Sequence, residues 1–208
     1  LVAADPRRFW DARYSEAAFA YGEQPNDFLR EQAAPLPAGR ALCLAEGEGR
    51  NAVHLAQLGH AVLAQDFSAV GLAKARQLAS RCGVAIETLC CDLEAFTPVP
   101  ESFDLVVAIW MHLPPPLRSA THRRAVQALR PGGHLILEAY TPRQLRLGTG
   151  GPPSQTLLIE PEELLRDLAG LQLLVLEERE RWIEEGPYHQ GNSAVVRVVG
   201  RKPGSDTP

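Results

Sequence analysis

The stretch Cys43–Ser68, CLAEGEGRNAVHLAQLGHAVLAQDFS, constrains the fold more than any other part of the chain. An apolar run, Ala41–Ala45, enters a turn with glycines at 47 and 49. Helical apolar spacing follows over Arg50–Leu58, and Gly59 stands where a left-handed C-cap is favoured. A second apolar run, His60–Gln65, ends at Asp66. Strand, glycine turn, helix and strand in this order predict a βαβ unit with a ligand at the strand C-termini. Glycines let the backbone approach that ligand, and the first helical turn offers it unpaired N–H groups. A carboxylate at the end of the second strand accepts hydrogen bonds from ribose hydroxyls. Asp66 fills that place, 17 residues past Gly49.

The alternation continues downstream. Ser68 caps a helix with apolar positions at Leu72, Ala75, Leu78 and Ala79, closed by Gly83. Strands are predicted at Val84–Cys90 and at Phe103–Trp110, whose unbroken apolar character marks a central strand buried on both faces. The helix LRSATHRRAVQAL is expected to stop at Pro131-Gly132-Gly133, before the strand HLILEAY. Pro161 starts one more helix. LQLLVLEERERW and AVVRVVGRK then read as two strands with no helix between them, hence an antiparallel pair at a sheet edge. The fold class is α/β: a Rossmann-like, seven-stranded, mostly parallel sheet with an antiparallel C-terminal strand pair and helices on both faces. Residues 1–202 are expected to form a single domain. Within it, residues 1–40, rich in aromatics, form a helical lid over the strand ends, and residues 203–208 form a disordered tail.

The 208 residues carry a net charge of −4, which argues against a broad nucleic-acid footprint. No apolar run spans a bilayer, and LVAADPRRFWDARY reads as lacking a secretory apolar core. The four cysteines, 43, 82, 90 and 91, form no C-x-x-C pair. Those in strand-like runs are expected to be small buried hydrophobes, which fits a reducing cytoplasm. The six histidines include no H-E-x-x-H or H-x-H, so no metal site is expected, and no Ser-His-Asp order points to a hydrolase.

The turn alone leaves the nucleotide open. Counted from Gly47, the sixth position is Ala52, which a variant dinucleotide fingerprint allows. Two features turn the reading away from NAD. Cys91-Asp92-Leu93 follows the third strand, where a carboxylate and a backbone N–H read an adenine edge, and the last two strands depart from a two-halved dinucleotide domain. With WDARY, YGEQPNDFL, CLAEGEGRNAVHLA, GHAVLAQDFSAVGLAKA, CDL, HLPPPLR, LRPGGHLILEAY, GGP and YHQG, the chain resembles class I S-adenosylmethionine-dependent methyltransferases. Within them it is similar to small bacterial proteins related to tellurite- and thiopurine-methyltransferase-like enzymes. It departs from the superfamily at Cys43, where an acidic residue is usual, and at Ala45, where the first glycine is usual.

The resemblance implies S-adenosyl-L-methionine as cofactor. Ala45 and Gly47 would approach its methionine portion, with Gly49 in the same turn. Glu46 or an N-terminal residue would substitute for the missing strand-one acid. Asn51 would brace the turn, Asp66 hold the ribose, Phe67 cover adenine, and Asp92 and Leu93 contact its edge. Arg13 would pair with the cofactor carboxylate under an aromatic cover of Trp10, Tyr14 and Tyr21. Tyr21 is also a candidate for the acceptor. Base candidates at or beyond the strand ends are His112 and His189, ahead of Glu138 and Tyr140; Tyr140 also borders the acceptor. Arg118 and Arg143 are placed to receive an anion, and Gly148–Pro153 reads as a closing loop. The expected function is methyl transfer to a small-molecule or small-ion acceptor. The expected partners include no nucleic acid or membrane, and the expected state is a monomer or weak homodimer. The alternatives are an NAD-type oxidoreductase and a non-catalytic S-adenosylmethionine-binding domain.

Overall fold

In the computed structural model, which describes residues 5–204, alternate residues of the central strands face two different helical layers. The elements run α1 (Pro6–Tyr14), α2 (Asp27–Ala33), β1 (Arg40–Cys43), α3 (Arg50–Gln57), β2 (Ala61–Asp66), α4 (Ala69–Arg81) and β3 (Glu87–Cys90). They continue with β4 (Phe103–Ile109), α5 (Pro115–Ala128), β5 (Leu129–Tyr140), α6 (Pro161–Asp167), β6 (Gln172–Glu185) and β7 (His189–Arg201). Leu42, Leu44, Val106 and Ala108 join Leu135, Leu137 and Leu164 of α6 in one layer. Ala41, Cys43, Leu105 and Val107 join Phe28 and Leu29 of α2, Leu55 of α3 and Leu72 of α4 in the other. Burial on both faces is why these strands are apolar without a polar alternation.

Among the described residues the seven strands form one sheet, ordered β3-β2-β1-β4-β5-β7-β6. β1 to β5 pair in parallel, and β7 pairs antiparallel with both β5 and β6. The strand order reverses between β1 and β4, so the crevice beyond their C-terminal ends is the topological switch point where α/β sheets bind ligands. Two non-glycine residues there adopt positive φ, Ala45 at 50° and Trp110 at 58°. Backbone strain of this kind collects at functional sites.

Two boundaries and the burial of two cysteines depart from the sequence reading. β5 begins at Leu129, directly after α5, and pairs with Phe103 before a register shift that resumes at Leu105↔His134. Pro131-Gly132-Gly133 is therefore an irregularity inside a strand rather than the stop of the helix. The last hairpin is longer than the apolar pattern suggested, running to the pair Glu185↔His189. Its innermost residues are polar but buried, which hides them from a hydropathy reading. Cys90 is exposed, and Cys91 is half-buried, because β3 is the sheet edge; Cys43 is buried as expected. Of the expected tail, Pro203 and Gly204 carry neither helix nor strand, and residues 205–208 lie outside the described residues.

Candidate active site

The glycine turn is held by its neighbours rather than by its own side chains. The Ala45 N–H donates to Gln65 Oε1 at 3.1 Å, and the Glu46 N–H donates to the Gln65 carbonyl at 3.0 Å. Gly49 is the N-cap of α3 at φ 90° and brings no capping side chain; a Cβ there would lie 2.5 Å from that of Ala75. Glu46 caps the helix instead, its Oε1 accepting from Asn51 N at 2.9 Å and Ala52 N at 2.8 Å. Burial pushes the Glu46 carboxyl up to about 7 against these two N–H groups and nearby Arg50.

Asp66, 3% exposed, accepts from Gly47 N at 2.9 Å and Ser68 N at 2.7 Å. Burial raises it to about 6, since the hydrogen bonds offset only part of the desolvation. Tyr14 of α1 lies over the turn. A Cβ on Gly47 would fall 2.6 Å from its hydroxyl, and one on Gly71 2.8 Å from its ring. Burial, then the Asp66 charge, keeps that phenol strongly protonated. Trp10 stacks on Tyr14 with centroids 5.5 Å apart. Arg7 bonds the Phe67 carbonyl and stacks on its ring, and Asp11 accepts from Ser68 Oγ.

Arg13 donates to Tyr21 Oη at 2.9 Å and lies 4.0 Å above the Tyr188 ring. Among the described residues it has no carboxylate partner. Asp92, exposed, accepts from Glu94 N and shapes the turn after β3. The Leu93 side chain is buried in the core, so the contact expected of it falls to its backbone. Asn51 accepts from Asn26 N at 3.0 Å, bracing the N-terminal segment against the turn.

A second cluster forms beyond β4, β5 and the start of β7. Trp110 stacks on Tyr140 at 4.5 Å, while His189 meets Tyr21 at 4.4 Å, Trp110 at 5.0 Å and Tyr140 at 5.3 Å. Two buried polar atoms here have no hydrogen-bond partner, His189 Nδ1 and Tyr140 Oη. Such orphans in a native fold call for a ligand or water. Burial lowers the His189 imidazole to about 3 and raises the Tyr140 phenol, so both are neutral at pH 7. His189 opens β7, and Gly150 and Gly151 from the expected closing loop lie against the Tyr140 ring.

His112, Arg118, Arg143 and Glu138 are committed to the protein itself. His112 Nδ1 lies 3.0 Å from the Leu157 carbonyl, and Nε2 accepts from Tyr140 N at 3.4 Å. That fixes the Nδ1–H tautomer and occupies the lone pair a base would need. Burial lowers its pKa to about 4. Arg118, 2% exposed, bonds Glu163 and the carbonyls of Leu113 and Thr156. Arg143 pairs with Glu178 and Glu180. Glu138 accepts from Arg181, Arg197 and Asn26. Arg118 is thus buried in its pairs, which corrects the expectation of a free arginine there, whereas Arg143 stays half-exposed in surface pairs.

Sequence reasoning missed the network beneath the crevice. Asn26 caps α2 and also donates to Glu138 and Glu185. Glu185 further accepts from Trp110 Nε1 at 2.7 Å and pairs with Arg50. Burial pushes Glu185 up, but Arg50, Trp110 and Arg181 outweigh it and hold the carboxyl at about 2. The one sequence signal for this network is the density of charged residues within the strand-like run QLLVLEERERWIEE. Ser119, His122 and Asp167 also meet, but Asp167 bridges the other two, so the serine lacks the imidazole contact of a hydrolase.

Residues 41–133 match the family described as a methyltransferase domain. The match takes in the glycine turn, Asp66 and the strands β1 to β4. A methyltransferase-domain match supports S-adenosylmethionine as cofactor over the NAD alternative. No curated protein matches the chain by sequence. Among solved structures it is similar to one described for the conversion of a disulfide bond into a thioacetal group during echinomycin biosynthesis. The identity is 20%, with 98% of this chain and 94% of that one covered and a TM-score of 0.78. TehB from Haemophilus influenzae is 17% identical over 94% of this chain and 66% of that one, TM-score 0.70. Magnesium protoporphyrin IX methyltransferase from Synechocystis PCC 6803, with bound SAH, is 17% identical over 83% and 77%, TM-score 0.62.

The residues around the turn fit this cofactor in kind. Asp66 offers a carboxylate to hydroxyls, Arg13 a cation to a carboxylate, and Gly47 a backbone without a side chain. No metal cluster is present among the described residues, and no helix there is long and apolar enough to cross a membrane.

Proposed function

We propose that this protein transfers a methyl group to a small acceptor molecule held against Trp110, Tyr140, Tyr21 and His189. The observation that carries this reading is the pair of orphaned polar atoms, His189 Nδ1 and Tyr140 Oη, inside an aromatic wall at the switch-point crevice. When bound, S-adenosylmethionine supplies a methyl group already activated on a sulfonium. The chain's own work is then alignment and exclusion of water. Asp66 holds the ribose, Arg13 the cofactor's carboxylate, and the Trp110 and Tyr140 rings orient the acceptor. His189 and Tyr140 each bring one hydrogen-bonding atom to position it. A neutral imidazole with so low a pKa is a poor proton acceptor at pH 7, so His189 positions rather than deprotonates.

The N-terminal segment is the cover of this site, and its movable part ends near Ala20. Some contacts of this segment are exposed and readily replaced by water, as at Arg7–Phe67 and at Lys74 with the carbonyls of Glu16 and Ala18, whereas Tyr14 is buried against the turn. By contrast Ala20 N is bonded to buried Glu48, and Asn26 to buried Glu138. Turning Tyr14 away from Gly47 opens the cradle.

The test is a panel of thiol, amine, hydroxyl and oxyanion acceptors incubated with methyl-labelled S-adenosylmethionine. Label transfer to an acceptor by the wild type, weakened in Tyr140→Ala, supports the proposal. Cofactor binding without transfer to any acceptor class marks a non-catalytic binding domain.

A further inference from the structure

Trp110 holds a conformation that tryptophan rarely adopts, and one of the contacts that keeps it there comes from far along the chain. Its φ of 58° lies in the left-handed region, which sterics disfavour for a bulky side chain. Such strain persists only where the surroundings over-determine it. Two contacts belong to the neighbouring strand β5: the Trp110 N–H donates to the Glu138 carbonyl at 2.9 Å, and the ring stacks on Tyr140. The third comes from the tip of the last hairpin. Nε1–H donates at 2.7 Å to Oε2 of Glu185, 75 residues downstream.

Glu185 is buried, and both of its oxygens are engaged. Oε2 also accepts from Arg50 at 2.5 Å, while Oε1 accepts from Asn26 Nδ2 at 2.9 Å and from Arg181 at 3.1 Å. Arg50 opens α3, Asn26 caps α2 and Arg181 lies on β6. Donors from so many directions leave the carboxylate one place to sit, since turning it would strand a buried N–H. Glu185 is also the residue paired with His189 across the β6–β7 hairpin. One residue thus fixes the indole and the start of the strand that carries the imidazole, two rings that meet at 5.0 Å.

We infer that Glu185 is a positioning residue of the acceptor site: through its bond to the Trp110 indole it sets the aromatic wall against which the acceptor is aligned. This rests on the reading of that wall as the acceptor site. Glu185 acts through the indole rather than on the acceptor. Alignment carries most of the catalysis when the transferred group is already activated, and a misplacement of about 1 Å can cost about 10²-fold. A carboxylate that only stabilises the fold predicts no effect tied to the indole N–H.

The test removes that one N–H. Replacing Trp110 by 3-benzothienylalanine puts sulfur in place of the N–H and keeps the ring's shape and its stacking on Tyr140. Arg50, Asn26 and Arg181 stay on the carboxylate, so folding is preserved. With an acceptor that the wild type methylates and saturating S-adenosylmethionine, kcat/KM for the acceptor should fall about 10- to 100-fold. Cofactor affinity should stay within about twofold. Glu185→Gln removes the charge from the same bond and should lower kcat/KM by itself. In the protein carrying the analogue it should add no more than about twofold, because the two changes break one contact. As a spectroscopic readout, the Trp110 indole N–H proton should resonate downfield of those of Trp10 and Trp182 and move upfield in Glu185→Gln, as a charge-assisted hydrogen bond becomes a neutral one. The analogue alone decides if Glu185→Gln fails to fold. Losses that multiply, or an analogue with unchanged kcat/KM, overturn the assignment and leave methyl transfer at this site intact. A wild type that methylates no acceptor overturns both.

Discussion

A side chain on Gly47 and the hydroxyl of Tyr14 claim the same space: an ideal Cβ on Gly47 lies 2.6 Å from Tyr14 Oη. Gly47 also has φ 63°. Gly47→Ala is therefore expected to cost about 1–2 kcal/mol from backbone conformation alone. It should also push Tyr14 out of its seat. Urea unfolding measures the first effect. The indole signal of Trp10, stacked on Tyr14, reports the second by NMR. An Ala variant with wild-type stability and an unshifted Trp10 signal contradicts the close approach.

Stability should fall as pH rises through the weakly acidic range. Asp66 and Glu46 have folded pKa values of about 6 and about 7, above the ~3.9 and ~4.3 of unfolded chains. Their contribution is fully present below the unfolded values and is lost as pH climbs through the folded ones. Glu185, held at about 2, acts oppositely: its contribution is present above ~4.3 and lost as pH falls through 2. Urea midpoints at pH 5 and pH 8 should differ in the wild type and differ less in Glu46→Gln. An equal pH dependence in both proteins rules out the raised Glu46 carboxyl.

Glu138 is predicted to be structural. It is fully buried and accepts from two arginines and Asn26. Glu138→Leu strands Arg181 and Arg197 and should cost about 3–5 kcal/mol, the range for breaking a buried ion pair from one side. Denaturant unfolding gives the value; a loss under about 1 kcal/mol would place the network among exposed pairs.

The two histidines should separate by assay. His112→Ala removes the bonds to Leu157 and Tyr140 and should lower stability, leaving the shape of the pH–rate profile unchanged. His189→Phe keeps the aromatic packing but removes the ring nitrogens, so the acceptor KM should rise. Turnover should fall well short of the ~10²–10⁴-fold loss that follows removal of a general base. Disappearance of the low-pH limb in either variant would assign that histidine as the base.

The βαβ core was legible because its signals are local. A glycine turn between an apolar run and a helical pattern, with Asp66 at the next strand end, is written within one stretch of chain. The seven-stranded, mostly parallel sheet followed from the alternation and from the two final strands. The crevice floor was not legible because its residues come together only in space. Asn26, Arg50, Trp110, Glu138 and Glu185 are far apart in sequence and meet through hydrogen bonds. Arg118 and Arg143 looked available because nothing local to them reveals that Glu163, Glu178 and Glu180 fold against them. His112 misled similarly: its partners are the Leu157 carbonyl and the Tyr140 N–H, and backbone groups carry no side-chain signature.

The central claim is that the crevice around Asp66 binds S-adenosylmethionine. Calorimetric titration of the cofactor into wild type and Asp66→Ala tests it most directly. The wild type should bind at one site per chain, and the folded variant should lose about 1.5–3 kcal/mol, the range for a hydrogen bond to a charged group. Unchanged affinity in a folded Asp66→Ala protein would contradict the account.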